Sequence, residues 1–283
     1  LEKWGAKATR VMPDGYGQIK AEAVADALTP QTRLVSVGWA NGEIGVVQSL
    51  SAIAKVVREY EKNNGSKIIF HTDAGQAPLY IKSTAHSLGV DVLTLDSGKM
   101  YGPRGVGALF VRHGVELRPT MFGGEQERGL RAGTPNVALV SGMAAALEHV
   151  ASERDVEAER ITDLKKYFIE QITEKISGTV VNGGAKHSLP HIINISIPNI
   201  DAEYVALALD HRGIAISTKT SCKEGERESA VVAALSSSQT ARNERWRAKS
   251  ALRFSFGRDT TARDLDRAAT TLAEVVAQAQ GFS

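Results

Sequence analysis

Apolar residues along the chain come in two rhythms. Short continuous runs have the length and β-rich content of buried strands: Arg33-Leu-Val-Ser-Val-Gly-Trp39, Lys67-Ile-Ile-Phe70, Val90 to Leu95 and Val106 to Val111. Between them, Ser49 to Asn63 places Ile53, Val56, Val57 and Tyr60 at helical spacing, and Thr84 to Leu88 predicts a short helix. Strands apolar on both faces that alternate with helices predict an α/β fold with a mainly parallel sheet covered on both sides.

From Asn136 to about Ile176 the pattern turns helical and highly charged, with Glu153-Arg-Asp-Val-Glu-Ala-Glu-Arg placing opposite charges at helical offsets. One or two long helices are expected there, leaving the first domain. A second, smaller α/β section follows: strand His191 to Ile197, helix Ala202 to Asp210, strand Ile214 to Ser217, strand Ala251 to Phe256, and a closing helix from Thr261 to about Gln278. Asp259-Thr-Thr-Ala-Arg-Asp opens that last helix with capping residues and an early acid. The expected domains are 1–154 and 155–283. The polar stretch starting at Ser236 reads as a mobile loop.

The 283 residues carry 34 basic and 32 acidic side chains, a net charge of +2 that gives no reason to expect nucleic acid or an anionic membrane as partner. No run approaches the ~18 to 20 apolar residues of a membrane helix, and Leu1-Glu-Lys-Trp-Gly lacks the apolar core of a secretory signal. A cytoplasmic protein is therefore expected. The chain opens on Leu1 and reads as mid-domain from its first residues, so the natural N-terminus is expected to lie further upstream. Cys222 is the single cysteine, which leaves a nucleophile or a small buried hydrophobe as its alternatives.

Three polar groups sit just past apolar runs, where ligands bind in parallel sheets. They are Asp73 in Phe70-His-Thr-Asp-Ala-Gly-Gln76, Lys99 after Val90 to Leu95, and Asn41 after Trp39. An acid, a lysine and side-chain amides suit pyridoxal phosphate. That cofactor needs a lysine for its Schiff base, a carboxylate against the ring nitrogen and donors to the ring oxygen, here Asn41 and Gln76. Asp73 taken alone reads better as a turn or cap residue for the segment that follows. A metal site is disfavoured, since His71 and Asp73 have no further His or Cys at ligand spacing. A phosphate-binding P-loop is excluded by the absence of GxxxxGK[ST].

Five blocks together resemble the cysteine desulfurases and related selenocysteine lyases of the class V aminotransferase group, enzymes of pyridoxal-phosphate fold type I. The blocks are Asn41-Gly-Glu-Ile-Gly-Val-Val-Gln48, His71-Thr-Asp-Ala-Gly-Gln76, Lys99-Met-Tyr-Gly-Pro-Arg-Gly-Val-Gly-Ala-Leu109, the run Gly123 to Thr134, and Arg253-Phe-Ser-Phe-Gly-Arg258. The resemblance implies that Lys99 takes the cofactor aldehyde and moves protons at the substrate α-carbon. Asp73 then pairs with the pyridine nitrogen, Gln76 and Asn41 face the ring hydroxyl, and Arg253 clamps the carboxylate of L-cysteine. Thr134 reaches the phosphate of a second subunit, which implies a homodimer. Cys222, with Lys219 and Lys223 favouring its thiolate, receives the sulfur as a persulfide while alanine leaves. An acceptor protein such as an iron–sulfur scaffold, or a tRNA thiolation route, takes it onward.

The sequence also departs from that family. Many members have a histidine before the lysine and a small hydroxyl three before it, where this chain has Gly98 and Asp96. An acid beside a phosphate dianion is repulsive, so Asp96 is expected to point away and Ser97 to substitute. The family's first roughly hundred residues, a domain's worth of chain, have no counterpart here. That region supplies the phosphate loop and the ring-stacking histidine; His71 is not that residue and is expected in the core. Rival readings are a selenocysteine lyase or other class V enzyme using the same Lys99 and Asp73, and a non-catalytic scaffold.

Overall fold

The computed structural model describes residues 2–184, 186–218, 228–235 and 244–281. Cys222, its lysine neighbours and the stretch starting at Ser236 lie outside the described residues. Contacts divide the chain into two units. One comprises Leu28–Trp39 and Leu50–Arg154; the other comprises Leu1–Ala27, Ala40–Ser49 and Asp155–Ser283. They are called here the Lys99 unit and the Arg253 unit.

The first helix, α1 (Ala21–Ala27), belongs to the Arg253 unit. The Lys99 unit then builds a four-stranded sheet in the order β1 (Leu34–Ser36), β2 (Ile69–Asp73), β3 (Val92–Asp96) and β4 (Gly107–Val111). Helix α2 (Leu50–Asn64) connects β1 to β2, and α3 (Ala85–Leu88) connects β2 to β3. These crossovers make β1, β2 and β3 parallel, as the apolar runs predict. β4 is antiparallel to β3. Its connection is too short for a parallel crossover, which takes a dozen or more residues.

Helix α2 buries Leu50, Ile53, Ala54 and Val57, one face at 3.6-residue spacing. Thr84 caps α3 reciprocally with Ser87. Just ahead of β3, Asp91 is buried and accepts from the Phe70 amide at 2.8 Å and from the Arg58 guanidinium. Arg112 lies 3.5 Å from its other oxygen, so the buried charge is compensated on both sides.

Of the one or two long helices expected, the chain forms one, the 39-residue α4 (Val137–Lys175); its residues to 154 count with the Lys99 unit and the rest with the Arg253 unit. The Arg253 unit holds an antiparallel sheet of β5 (Val180–Val181), β6 (Ile192–Ser196) and β7 (Ala251–Ser255). Helices α5 (Ala202–Asp210), α6 (Ala230–Leu235), α7 (Trp246–Lys249) and α8 (Ala262–Gly281) complete it. Phe168 of α4 meets Phe254 edge-on at 5.0 Å and Phe256 at 5.6 Å. Helix α8 adds Leu265, Ala268, Ala269, Leu272, Val275 and Val276 to the core, each large one contributing about 1.5–3 kcal/mol.

The strand expected from Ile214 to Ser217 does not form. The Ile214 amide closes the end of α5 by donating to Leu209 O at 2.9 Å, and only Ser217 bridges to β7. Among the described residues no helix is long and apolar enough to cross a membrane.

Candidate active site

In the Lys99 unit, Asp73 is the last residue of β2, and Lys99 lies in a 3-10 turn, Ser97–Met100, directly after β3. Since β2 and β3 are adjacent and parallel, their carboxyl ends bring the acid and the lysine to one edge of the sheet. Both side chains are exposed. Asp73 Oδ1 accepts from the Gly75 amide at 2.9 Å, which fixes the carboxylate on its own turn.

The lysine turn is stiff for physical reasons. Asp96 caps it by accepting from the Gly98 amide at 2.9 Å, and Met100 is fully buried beneath it. Tyr101 closes it in the left-handed region at φ 60°, a conformation costly for a residue with a Cβ. Gly102 then passes so close that a Cβ would stand 2.3 Å from Ser97 Oγ. A side chain there would therefore force the Ser97 hydroxyl to shift. Asp96 is turned onto its own backbone, in line with expectation, but Ser97 is not turned outward. Its hydroxyl is fully buried and has no hydrogen-bond partner.

His71 departs from the core position expected of it. It is half-buried on β2 with Nδ1 2.9 Å from Ser36 Oγ. Burial pushes it below the ordinary histidine value, against the pull of the Asp73 charge. Gln76 is half-buried at the head of the short turn Ala77–Leu79, and Thr134 is exposed just after Gly133.

Asn41 and Arg253 belong to the other unit and meet there through Gly42. Asn41 Oδ1 accepts from the Glu43 and Ile44 amides at 2.8 and 3.0 Å, leaving its NH2 as the group it offers. Gly45, at φ 74°, returns its amide to Asn41 O at 2.9 Å. Arg253 is half-buried on β7 and donates Nη1 to Gly42 O and Nη2 to Ser217 Oγ, each at 3.0 Å. Its Nε is buried and unpartnered. Burial pushes Arg253 below its ordinary value, and the Glu43 charge pushes it back.

Behind this pair runs a buried polar chain. Asn194 of β6, opposite Arg253 in register, donates to Glu43 O at 3.3 Å and accepts from Asn182 at 2.6 Å. Asn182 in turn accepts from Arg247 at 2.9 and 2.6 Å. The sequence reading missed these residues, together with Glu43, Ser217 and Ser229. An acid just ahead of the apolar run Ile44-Gly-Val-Val was the one signal available.

Comparison with known proteins shows the family to which the chain belongs. Residues 1–268 match the model of the aminotransferase class-V family. The chain is 36% identical over 284 residues to the cysteine desulfurase IscS of Dictyoglomus turgidum, covering 100% of this chain and 69% of that protein. It is 34% identical to the putative cysteine desulfurase IscS 1 of Bacillus subtilis, over 98% of this chain and 70% of that one. Among solved structures, a NifS-like protein superposes with a TM-score of 0.86 at 28% identity, covering 98% of this chain and 70% of its own. One described as SspA in complex with cysteine gives 0.72 at 30% identity, covering 90% and 67%. By sequence and by fold, the chain belongs to the class-V aminotransferase family, in its cysteine desulfurase group, whose members are pyridoxal-phosphate enzymes.

Proposed function

We propose that this chain removes sulfur from L-cysteine, with pyridoxal phosphate held at the Lys99 corner and the substrate carboxylate held by Arg253. The observation that carries this reading is an exposed carboxylate and an exposed amine at the carboxyl ends of adjacent parallel strands. That donor set fits the cofactor: Asp73 suits a protonated pyridine nitrogen, Lys99 an aldehyde, and the amide of Gln76 a ring oxygen, the role that the family resemblance also gives to Asn41. The cofactor, when bound, supplies an electron sink for the pair left at the substrate α-carbon.

The chain's own residues do the rest. Lys99, unburied and on a rigid turn, takes the α-proton and later returns one. Arg253 presents a planar fork to the carboxylate, and its position inside a hydrogen-bonded frame fixes the substrate's orientation. Ser97 is the weakest member, because its hydroxyl packs toward Gly102 and must turn outward to meet a phosphate. Thr134, exposed, is assigned to the phosphate of a second copy in a homodimer.

Cys222 receives the sulfur. Its thiolate attacks the sulfur of L-cysteine, the S–S bond forms as the C–S bond breaks, and the carbon takes the electron pair and then protons to leave as alanine. The persulfide then passes its outer sulfur to a thiol or to an acceptor protein such as an iron–sulfur scaffold. The name IscS borne by several relatives supports the latter.

The test is alanine production by the purified full-length protein loaded with pyridoxal phosphate and given L-cysteine, beside its Cys222→Ser variant. Alanine from the wild type with a persulfide detected on Cys222, and none from the variant, is expected. No alanine from the wild type overturns the function. Undiminished alanine from Cys222→Ser overturns the role of the cysteine.

A further inference from the structure

The proposed chemistry leaves one buried acid unexplained. Glu43 is 2% exposed, and its Oε1 accepts the hydroxyl of Ser229. A carboxylate at that depth is destabilising by several kcal/mol unless well bonded, and nothing in the reaction calls for an acid at this point. Its neighbours show what it does. Glu43 follows Gly42, whose carbonyl receives Arg253 Nη1, and its own amide is pinned by Asn41 Oδ1 at 2.8 Å. The Glu43 carbonyl is held from the other side by Asn194, the cross-strand partner of Arg253. Ser229 in turn caps α6 by accepting from the Val232 amide at 3.0 Å.

We propose that Glu43 is a positioning residue for Arg253. Bonded to Ser229, it anchors the Asn41–Glu43 turn, so that the Gly42 carbonyl and the nearby negative charge hold the guanidinium fork in the attitude that receives the substrate carboxylate. The two serines of this frame, Ser217 and Ser229, flank the Cys222 stretch in sequence. The frame therefore ties both sides of that stretch to the clamp. This inference rests on Arg253 receiving the carboxylate, as argued above.

The experiment compares Glu43→Ala, Glu43→Gln and Ser229→Ala in the holoenzyme. Glu43→Ala is expected to raise KM for L-cysteine about tenfold or more while kcat changes less than about threefold, the pattern of lost binding energy. Glu43→Gln keeps an oxygen that accepts the same serine bond, and it is expected to recover most of the loss. Ser229→Ala, which keeps the charge and removes the bond, is expected to fall between them. Cysteamine, which has the amine and thiol but no carboxylate, is the control. Its perturbation of the cofactor's visible absorbance is expected at unchanged concentrations in every variant.

A KM for Glu43→Ala within about twofold of wild type overturns the proposal. So does a Glu43→Gln variant as impaired as Glu43→Ala, or an equal loss toward cysteamine, which marks general damage. If Glu43→Ala does not fold, Ser229→Ala decides on the same criteria. A wild type that makes no alanine fails the functional reading itself. A wild type that turns over beside unaffected variants fails this inference alone.

Discussion

Lys99 and Arg253 are the two cations on which the proposed chemistry turns, and the fold treats them in opposite ways. Lys99 stands exposed on a turn held by its neighbours and not by the lysine itself: the Asp96 cap, the buried Met100 and the left-handed Tyr101. Arg253 is half-buried, with two of its nitrogens bonded to protein oxygens and a chain of buried amides behind it. A group that accepts and returns protons needs freedom at its tip. A group that orients a substrate works by losing its freedom before the substrate arrives. Stability and activity should therefore separate at one corner and travel together at the other.

The sharpest way to break that comparison is Lys99→Ala. Turnover should fall by roughly a thousandfold or more, as for a lost acid–base group. Because the side chain is exposed, unfolding free energy should stay within about 0.5 kcal/mol of wild type. Single-turnover alanine formation and urea denaturation measure the two sides. A destabilisation of several kcal/mol would show that the lysine is part of the frame rather than carried by it.

The Arg253 unit makes the opposite kind of prediction through Lys165 of α4. Its ammonium donates to Ser188 Oγ, Leu189 O and Ile192 O, each at 2.9 Å, and burial pushes its pKa from 10.5 down to about 8. Between those values the unfolded chain binds more protons than the folded one, so stability rises with pH from about 8 to 10.5. The whole window is worth up to about 3 kcal/mol. Denaturation midpoints of wild type and Lys165→Met across that range should show the rise in the first and not the second. Parallel curves would mean that the three donated bonds hold the lysine charged at its ordinary value.

How much of this was legible in the sequence follows the same division. Asp73 and Lys99 stand out because each breaks an apolar run, and a parallel sheet turns such breaks into neighbours. The strands β1 to β4, β6 and β7, with α2 and the α8 seam, were readable from the apolar pattern alone, whereas β5 was not. Arg253 became a clamp only through resemblance, since its partners Gly42 and Ser217 are 211 and 36 residues away. Glu43 and Ser229, 186 residues apart, carried no pattern that joins them; the acid ahead of Ile44 was the single hint. Ile214 to Ser217 misled for a related reason: three apolar-rich residues look like a strand, but the end of α5 takes the Ile214 amide first. Local signals report local hydrogen bonds, and the Arg253 frame contains few of them.

Ser97 crosses the line between the two corners, and it sets the smallest effect. It lies on the exposed lysine turn, yet its hydroxyl is fully buried and without a partner. An unpaired buried hydroxyl is a net cost to the fold, so deleting it removes a penalty rather than an interaction. Ser97→Ala should leave the apoprotein as stable as wild type or raise it by about 1 kcal/mol. If the hydroxyl turns outward to a phosphate when the cofactor binds, the same variant should weaken pyridoxal phosphate a few-fold. Its stability gain would then vanish in the holoenzyme. Thermal melts with and without cofactor distinguish the cases. A gain that persists in the holoenzyme would show that Ser97 never leaves Gly102, and the phosphate must then be held by other donors.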